Sequence, residues 1–301
     1  MRDQVRMAER IGIRTATLNS ANRDEWDAIE ARLSRDDLAV LLVSPERLGN
    51  DRFLRQTLPL MPQGVGLLVV DEAHCISDWG HDFRPDYRRI VGMLRLLAPG
   101  IPVLATTATA NDRVVADVQS QLGDPVTVLR GPLTRESLQL QTIHLDSHAE
   151  RLAWLAGQLP RLRRAGAGIV YVQTVGDALR VSEWLHQQGF ATPAYYGALD
   201  DASRREIEQR LLANELDAVV ATTALGMGFD KPDLGFAVHY QRPGSVVTYY
   251  QQVGRAGRAI SDAYAILLHG LGDDDIQDYF IASAFPDEAV LLAIVARLDD
   301  V

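Results

Sequence analysis

Two adjacent carboxylates, Asp71 and Glu72, directly follow the apolar run Gly66–Val70 (GLLVV). In open α/β sheets, ligands bind at the carboxyl ends of the strands. An aspartate at such a strand end can hold Mg²⁺ on the phosphates of a nucleotide, and a neighbouring glutamate can orient or activate a water molecule. Two adjacent acidic residues alone more often form a solvated turn than a nucleotide site, so the downstream residues are needed to distinguish the two interpretations.

The downstream segment HCISDWGHDFRPDY, from His74 to Tyr87, is rich in aromatic residues. Trp79, Phe83 and Tyr87 recur every four residues, which is typical of the core-facing stripe of a helix. A glycine and a proline inside the segment disfavour one regular helix. A loop that displays aromatic rings beside Arg84 suits stacking on unpaired bases and contact with phosphates.

The same segment holds His74, Cys75 and His81, which raises the question of a metal site. Cys75 is the chain's single cysteine, and no second Cys/His pair lies at ligand spacing. We therefore expect neither an internal disulfide nor a zinc site within this chain.

The elements that would position these residues follow one repeated pattern, in which short apolar runs alternate with longer amphipathic segments. This pattern predicts an α/β fold with parallel sheets covered on both faces. The predicted strands are 38–44, 66–70, 101–106, 168–172, 218–222, 235–240 and 263–269. The predicted helices are 23–35, 112–122, 148–159, 177–188 and 202–213, followed by one that starts near residue 273.

The alternation breaks at Gly131-Pro132 and then restarts, so the segment LRGPLTRESLQLQ is interpreted as a linker. We expect two α/β lobes and a short helical tail. The expected divisions are an incomplete first lobe at 1–130, a linker with the first strand of the next lobe at 131–147, a second lobe at 148–270, and the tail at 271–301.

The composition is that of a globular protein, with 301 residues, 47% of them apolar and 23% charged. No run approaches the ~18 apolar residues of a membrane span, and the N-terminus shows no signal-peptide pattern, so a cytoplasmic location without membrane contact is expected. The net charge of −10 does not exclude nucleic acid as a partner, because binding depends on local basic patches.

The segment DEAHCISDWGHDFRPDY resembles the Walker B motif and aromatic-rich loop of the RecQ family of ATP-dependent DNA helicases, within superfamily 2. The other motifs of that family follow in order, and the resemblance covers nearly the whole chain. They are MRDQV for the end of motif Ia, VSPERL (43–48) for Ib, TTATA (106–110) for III, IVYVQT (169–174) for IV, ATTALGMGFDKPD (221–233) for V and YYQQVGRAGR (249–258) for VI. One departure is Val175, where the family often has an arginine just after motif IV.

This resemblance implies two RecA-like lobes that couple ATP hydrolysis to 3′-to-5′ movement on single-stranded and forked DNA. By the same resemblance, Asp71 would coordinate Mg²⁺ and Glu72 would be the catalytic carboxylate. His74, Thr107 and Thr109 would couple the nucleotide site to the DNA.

Further roles are implied at the DNA and at the second lobe. Trp79, Phe83 and Arg84 would contact DNA from the aromatic-rich loop, and Ser44 and Arg47 would contact it from motif Ib. The remaining implied residues belong to the nucleotide site, with Arg255 and Arg258 as catalytic arginines on the phosphates and with supporting contacts from Gly228, Asp230 and Gln251.

The chain lacks the phosphate cradle G-x-x-x-x-G-K-[ST] that such an enzyme needs. Lys231 is the only lysine among the 30 basic residues, and it lies in motif V. We therefore expect a chain truncated before motif Ia, with a marginal first lobe and negligible ATPase by itself. The four-cysteine zinc module and winged helix that often follow in the family are not in this sequence either.

Two other functions stay open at this point. The chain could be a non-catalytic remnant that binds DNA regardless of ATP, or it could be another superfamily 2 enzyme such as an RNA helicase. The resemblance implies ATP and Mg²⁺ as cofactors and, if the source is bacterial, a nucleoid-associated location in the cytoplasm. It implies no particular protein partner.

Overall fold

The computed structural model describes residues 2–61, 64–77, 85–97, 100–123, 126–226, 229–283 and 288–298. The chain divides into two compact units, Met1–Gly131 and Pro132–Val301. Parallel strands alternate with helices in both units, which confirms the predicted α/β class.

The first unit contains four short strands in two parallel pairs. Strand β1 pairs with β2, and β3 pairs with β4, and within the described residues no ladder joins the two pairs. Its strands are β1 (Thr15–Leu18), β2 (Val40–Val43), β3 (Leu68–Val70) and β4 (Val103–Ala105). Its helices are α1 (Arg2–Arg10), α2 (Trp26–Ser34), α3 (Pro85–Leu94) and α4 (Asp112–Leu122), with short 3₁₀ or π-helical turns at Ser20–Glu25, Pro45–Gly49, Phe53–Thr57, Leu58–Leu60 and Ala73–Ile76.

The β3–β4 pair is covered on only one side. Val70 is buried in a core with Ile29 of α2 and Ile90 of α3. Its neighbour Val69 lies on the opposite face and is 52% exposed, and its register partner Leu104 is 50% exposed. Buried parallel sheets normally have both faces covered, so the first unit leaves apolar strand surface open to solvent.

The second unit contains one six-stranded sheet with the order β5-β10-β9-β6-β8-β7, in which every pairing is parallel. Its strands are β5 (Leu138–His144), β6 (Gly168–Tyr171), β7 (Ala194–Tyr195), β8 (Ala218–Ala221), β9 (Phe236–His239) and β10 (Ala263–His269). Its helices are α5 (His148–Leu162), α6 (Val175–Gln187), α7 (Asp201–Leu212), α8 (Val246–Val253), α9 (Asp273–Ser283) and α10 (Glu288–Leu298).

Both faces of this sheet are buried at its central strands, whereas the edge strand β5 is mostly exposed. Val170 of β6 packs into a core with Leu155 and Phe236, whereas the adjacent Ile169 packs on the other face with Leu211. Alternate residues of one strand therefore serve two separate cores, as expected for a parallel sheet between helices. This arrangement explains why β6, β8 and β10 are continuous apolar runs in the sequence.

Polar residues start the helices of this unit. Ser147 and Glu150 form a reciprocal capping box at α5, and the Thr174 side chain accepts from the Asp177 amide at α6. The tail helix α9 is fastened to the unit by its first residue, Asp273, which pairs with the buried Arg151 at 2.8 Å.

The structure differs from the sequence-based expectation at two strands. Strands β1 and β7 were not predicted, because four and two residues are too short to show a periodic pattern. Strand β5 lies within 131–147, where a linker and the first strand of the next lobe were expected, and it pairs along its length with β10. Among the described residues, no helix is long and apolar enough to cross a bilayer.

Candidate nucleotide-binding site

The first unit presents Asp71 and Thr106 at the carboxyl ends of the neighbouring strands β3 and β4. The Oδ1 atom of Asp71 accepts hydrogen bonds from the Thr106 hydroxyl at 2.9 Å and from the Glu72 amide at 3.0 Å. Thr106 was not predicted as a site residue, although it is the first letter of the TTATA segment. These contacts orient the exposed Asp71 carboxylate and leave its Oδ2 atom available.

Glu72 has a left-handed backbone, with φ 52° and ψ 43°. A non-glycine residue in this region is uncommon and costs on the order of 1 kcal/mol, so the surrounding contacts must enforce it. The Ala73 amide donates to the Thr106 carbonyl at 2.9 Å directly after this residue. The strained turn places Glu72 Oε2 at 3.3 Å from His74 Nδ1.

His74 joins the acidic segment to the TTATA segment. Its ring is fully buried, and its Nδ1 atom lies 2.9 Å from the Thr107 hydroxyl, 33 residues further along the chain. The Thr107 hydroxyl also accepts from the Thr109 amide at 3.2 Å. The structure thus joins the three predicted coupling residues, His74, Thr107 and Thr109, by hydrogen bonds and places Glu72 in close contact with His74.

The residues present fit a magnesium ion that is held largely by a nucleotide. Mg²⁺ is usually bound by one or two carboxylates together with phosphate oxygens and water, and the exposed Asp71 carboxylate is a group of this kind. In the described part of the chain, no cluster of three or more His, Cys, Asp or Glu side chains could hold a metal ion without other ligands.

Of the five residues predicted to contact DNA, the structure describes Ser44 and Arg47. Trp79, Phe83 and Arg84 lie outside the described residues. Ser44 precedes the 3₁₀ turn after β2, and the Arg47 amide donates to its carbonyl at 2.9 Å. The Arg47 guanidinium is buried 3.7 Å from the ring centre of Trp26, and this burial lowers its pKa. Arg47 therefore stiffens the turn through a cation–π stack.

In the second unit, the two predicted arginines both contact motif V. Arg255 donates from Nη1 to the Phe229 carbonyl at 2.8 Å, and Arg258 donates from Nη1 to Asp230 Oδ1 at 2.7 Å. The structure therefore brings Arg255, Arg258 and Asp230 together. Gln251 is half-buried on α8, and Gly228 lies outside the described residues.

A group of buried polar residues near Arg255 was not predicted from the sequence, and it consists of His239, Gln252 and Tyr171. His239 at the end of β9 contacts Gln252 Oε1 through Nε2 at 2.7 Å and stacks on the ring of Tyr171. Burial lowers the pKa of His239 to about 4, although the Gln252 hydrogen bond opposes the shift. Burial also raises the pKa of Tyr171 to about 12, with the nearby Arg255 acting in the opposite direction. His239 and Tyr171 lie inside apolar strand patterns, so only their polarity could have indicated them from the sequence.

Lys231 is not positioned as a phosphate ligand. Its side chain is 1% exposed, and its Nζ atom pairs with Asp233 at 2.7 Å. The contact lowers the pKa of the Asp233 carboxyl. The only lysine of the chain is thus part of the motif V framework.

Two protein families match the chain over its two units. Residues 1–118 match the DEAD/DEAH box helicase family, and residues 150–260 match the helicase conserved C-terminal domain family. The two matched segments contain the acidic strand end of the first unit and the paired arginines of the second.

Several curated relatives have substantial sequence identity to this chain. The ATP-dependent DNA helicase RecQ of Bacillus subtilis is 36% identical over 292 residues, covering 96% of this chain and 48% of the relative. The probable ATP-dependent DNA helicase RecS of the same organism is 35% identical, covering 93% and 56%. The putative ATP-dependent DNA helicase Q1 of Caenorhabditis briggsae is 33% identical, covering 90% and 45%. The chain spans about half the length of the curated relatives it matches.

Solved structures support the fold. The helicase MrfA bound to DNA superposes with a TM-score of 0.70 at 18% identity, covering 93% of this chain and 41% of that one. Dbp5 of S. cerevisiae bound to RNA and ADP BeF3 gives 0.63 at 20% identity, covering 81% and 64%. These similarities show the RecA-like fold alone, whereas the sequence relatives and the ordered motifs define the group. The chain belongs to the RecQ family of DEAD/DEAH-box helicases.

Proposed function

We propose that this chain carries the motor region of an ATP-dependent DNA helicase of RecQ type, which moves 3′ to 5′ along single-stranded DNA and opens forked duplexes. The proposal rests on the family and on one structural observation, the row of close contacts in which Glu72 lies 3.3 Å from His74 and His74 is hydrogen-bonded to Thr107. A cytoplasmic location with access to DNA follows from this function.

This row of contacts is suited to coupling because it joins two segments with different expected ligands. Glu72 and Asp71 face the expected nucleotide, and the TTATA segment leads towards the expected DNA side. His74 is buried between them at 2.9 Å from Thr107, so a shift on either side changes a direct hydrogen bond.

The residues would divide the work of hydrolysis as follows. Mg²⁺ bound at Asp71 would neutralise charge on the phosphates. Glu72 would accept a proton from the attacking water while the bond between the terminal phosphate and the ADP oxygen breaks. Arg255 and Arg258 would stabilise charge on the phosphates, after exchanging their contacts with Phe229 and Asp230 for phosphate oxygens.

We propose further that the 301-residue chain hydrolyses ATP negligibly by itself. A phosphate cradle needs a lysine that reaches the β- and γ-phosphates, and the sole lysine, Lys231, is buried against Asp233. Without this cradle, Asp71 and Glu72 have no fixed phosphate to act on.

Steady-state ATP hydrolysis by the purified chain, with and without a single-stranded oligonucleotide, tests this claim. We expect no DNA-stimulated turnover above that of the Glu72→Gln variant, which serves as the background. A robust DNA-stimulated rate that Glu72→Gln abolishes would show that the claim is wrong.

A second candidate function is DNA binding without turnover, which the buried position of Lys231 favours. Fluorescence anisotropy with labelled single-stranded DNA, with and without a non-hydrolysable ATP analogue, separates the two. An affinity that responds to the analogue supports the motor, whereas an unchanged affinity supports a nucleotide-independent binder. Competition with RNA of the same sequence tests the choice of DNA, and equal competition would favour an RNA-acting enzyme.

A further inference from the structure

The segment predicted as a linker, which lies at the start of the second unit, contacts the turn that carries the paired arginines. We define this turn as residues 254–258, directly after α8, and we define the linker clamp as Leu133, Arg135 and Ser137. Arg135 donates from Nη1 to the Gly254 carbonyl at 2.7 Å and to the Ala256 carbonyl at 2.8 Å. The Ser137 hydroxyl donates to the Gly257 carbonyl at 2.7 Å.

The clamp continues through the main chain and through α8. The Tyr250 hydroxyl of α8 donates to the Leu133 carbonyl at 3.0 Å. The Ala263 amide, at the start of β10, donates to the Ser137 carbonyl at 2.7 Å. The linker is therefore attached to the helix before the turn and to the strand after it.

The contacts satisfy groups that helix geometry leaves without partners. The last carbonyls of a helix have no intrahelical donor, and a cation near them is favoured by the helix dipole. Arg135 supplies both the donors and the charge at the end of α8. Three carbonyls of a five-residue turn are thus held by two side chains from more than a hundred residues away.

The fit at Gly257 is tight enough to define the position of the turn. This glycine has φ +71°, and a Cβ atom placed on it would lie 2.8 Å from Ser137 Oγ and 3.0 Å from Ala263 Cβ. The turn therefore cannot move towards Ser137 without displacing the linker.

The opposite side of the same turn faces motif V. The guanidinium of Arg255 reaches the Phe229 carbonyl, and that of Arg258 reaches Asp230. The linker clamp holds the backbone, while the Nη1 atoms of both arginines reach towards groups that a phosphate can replace. Arg258 also donates from Nε to the Gly254 carbonyl at 3.4 Å, which Arg135 holds as well. The Nη1 contacts with motif V use atoms that the clamp does not, so the backbone can stay fixed while these contacts are exchanged.

We propose that Arg135 and Ser137 are positioning residues, which fix the backbone of the turn so that Arg255 and Arg258 are presented to the phosphates of a nucleotide. This inference rests on the proposed function, because that function gives the two arginines their ligand. It adds that the position of the arginines depends on the linker as well as on α8.

Hydrogen exchange of the full chain tests the clamp. In Arg135→Ala, and in Arg135→Ala combined with Ser137→Ala, we expect amides 254–257 to exchange about tenfold faster, because hydrogen bonds from a charged donor are lost. Amides of β6 and β8 should not change. The matched control is Arg130→Ala, an exposed arginine of the same region that pairs with Asp112. Unchanged exchange of the turn would overturn the proposal, and so would an equal increase throughout the second unit.

Arginine modification by phenylglyoxal, quantified by peptide mass spectrometry, separates positioning from general stability. We expect faster modification of Arg255 in Arg135→Ala than in the control, with Arg135→Lys restoring most of the protection because it keeps a cationic donor. An unchanged rate at Arg255 would overturn the positioning role.

A third measurement, protection of the two arginines by Mg-ATP, separates failure of the proposed function from failure of the positioning role. If Mg-ATP protects Arg255 and Arg258 in the wild type and fails to do so in Arg135→Ala, both proposals are supported. If Mg-ATP protects neither arginine in the wild type, the phosphate role of the arginines fails, and the clamp is judged by amide exchange alone. If Mg-ATP protects both equally in wild type and Arg135→Ala, the positioning role is overturned.

Discussion

Ionisable side chains have different environments in the two units. Asp71 of the first unit is exposed, and one of its carboxylate oxygens accepts two hydrogen bonds. His239 is fully buried among Tyr171, Gln252 and Tyr249. At the level of single residues, the first unit presents an exposed carboxylate, whereas the second unit buries a neutral imidazole as a structural part.

The buried His239 predicts a pH dependence of stability. Its folded pKa of about 4 lies below the unfolded value of about 6.5, so only the unfolded chain gains a proton between these pH values. The contribution of His239 is complete above pH ~6.5 and is lost as the pH falls towards ~4. Between pH 7 and pH 5 we expect it to lower the free energy of unfolding by about 2 kcal/mol.

Urea unfolding at both pH values measures this effect. The variant His239→Gln should be less stable at pH 7 but should lose about 2 kcal/mol less than the wild type on going to pH 5. His186→Gln, which changes an exposed histidine on α6, serves as the control. Equal losses in the wild type and His239→Gln would contradict the prediction.

At the level of elements, close strand packing explains why the second unit needs particular small residues. Gly168 begins β6 beside Phe236 of β9, and a Cβ atom at Gly168 would lie 2.2 Å from the Phe236 ring. Both residues are buried, so the ring has little room to give way.

We therefore expect Gly168→Ala to lower the free energy of unfolding by about 3 kcal/mol through overpacking. The matched control is Gly157→Ala in α5, where no atom lies within 4 Å of the added Cβ. That change should stabilise the helix by about 0.5–1 kcal/mol. Urea titration of both variants checks the prediction, which would be contradicted by a Gly168→Ala protein as stable as the wild type.

Local patterns predicted most of the elements, and non-local contacts account for what was missed. Strand β10 and helix α4 match their predicted bounds, because a continuous apolar run and a capped amphipathic segment are local signals. The row from Glu72 to Thr107 was expected only through the family resemblance. The contacts of Arg135 span about 120 residues, and no local pattern could indicate them.

For the molecule as a whole, the two units differ in how completely they bury their strands. Val69 and Leu104 of the first unit are about half exposed, whereas Val170 and Val220 of the second are fully buried. Apolar burial is the main stabilising contribution in a domain, so the first unit has less to hold it together.

We predict two unfolding transitions, with the first unit unfolding at lower urea than the second. Pulsed hydrogen exchange along a urea titration, read out by peptides of β3 and β4 against those of β6 and β8, measures the two midpoints separately. The positions of the midpoints should not depend on protein concentration if each unit unfolds by itself. A single shared midpoint would contradict the difference in burial.

Because the chain has a single cysteine and a single lysine, chemical labelling of each residue reports on the unit that contains it. Cys75, the only cysteine, is fully buried in the first unit, and Lys231, the only lysine, is buried in the second. A maleimide should therefore label the native protein slowly, and an amine-reactive ester should label little besides the α-amino group. A condition that speeds up labelling of Cys75 but not of Lys231 shows that the first unit has opened, and the reverse result shows that the second unit has opened. This measurement needs no engineered residue and no assigned spectrum.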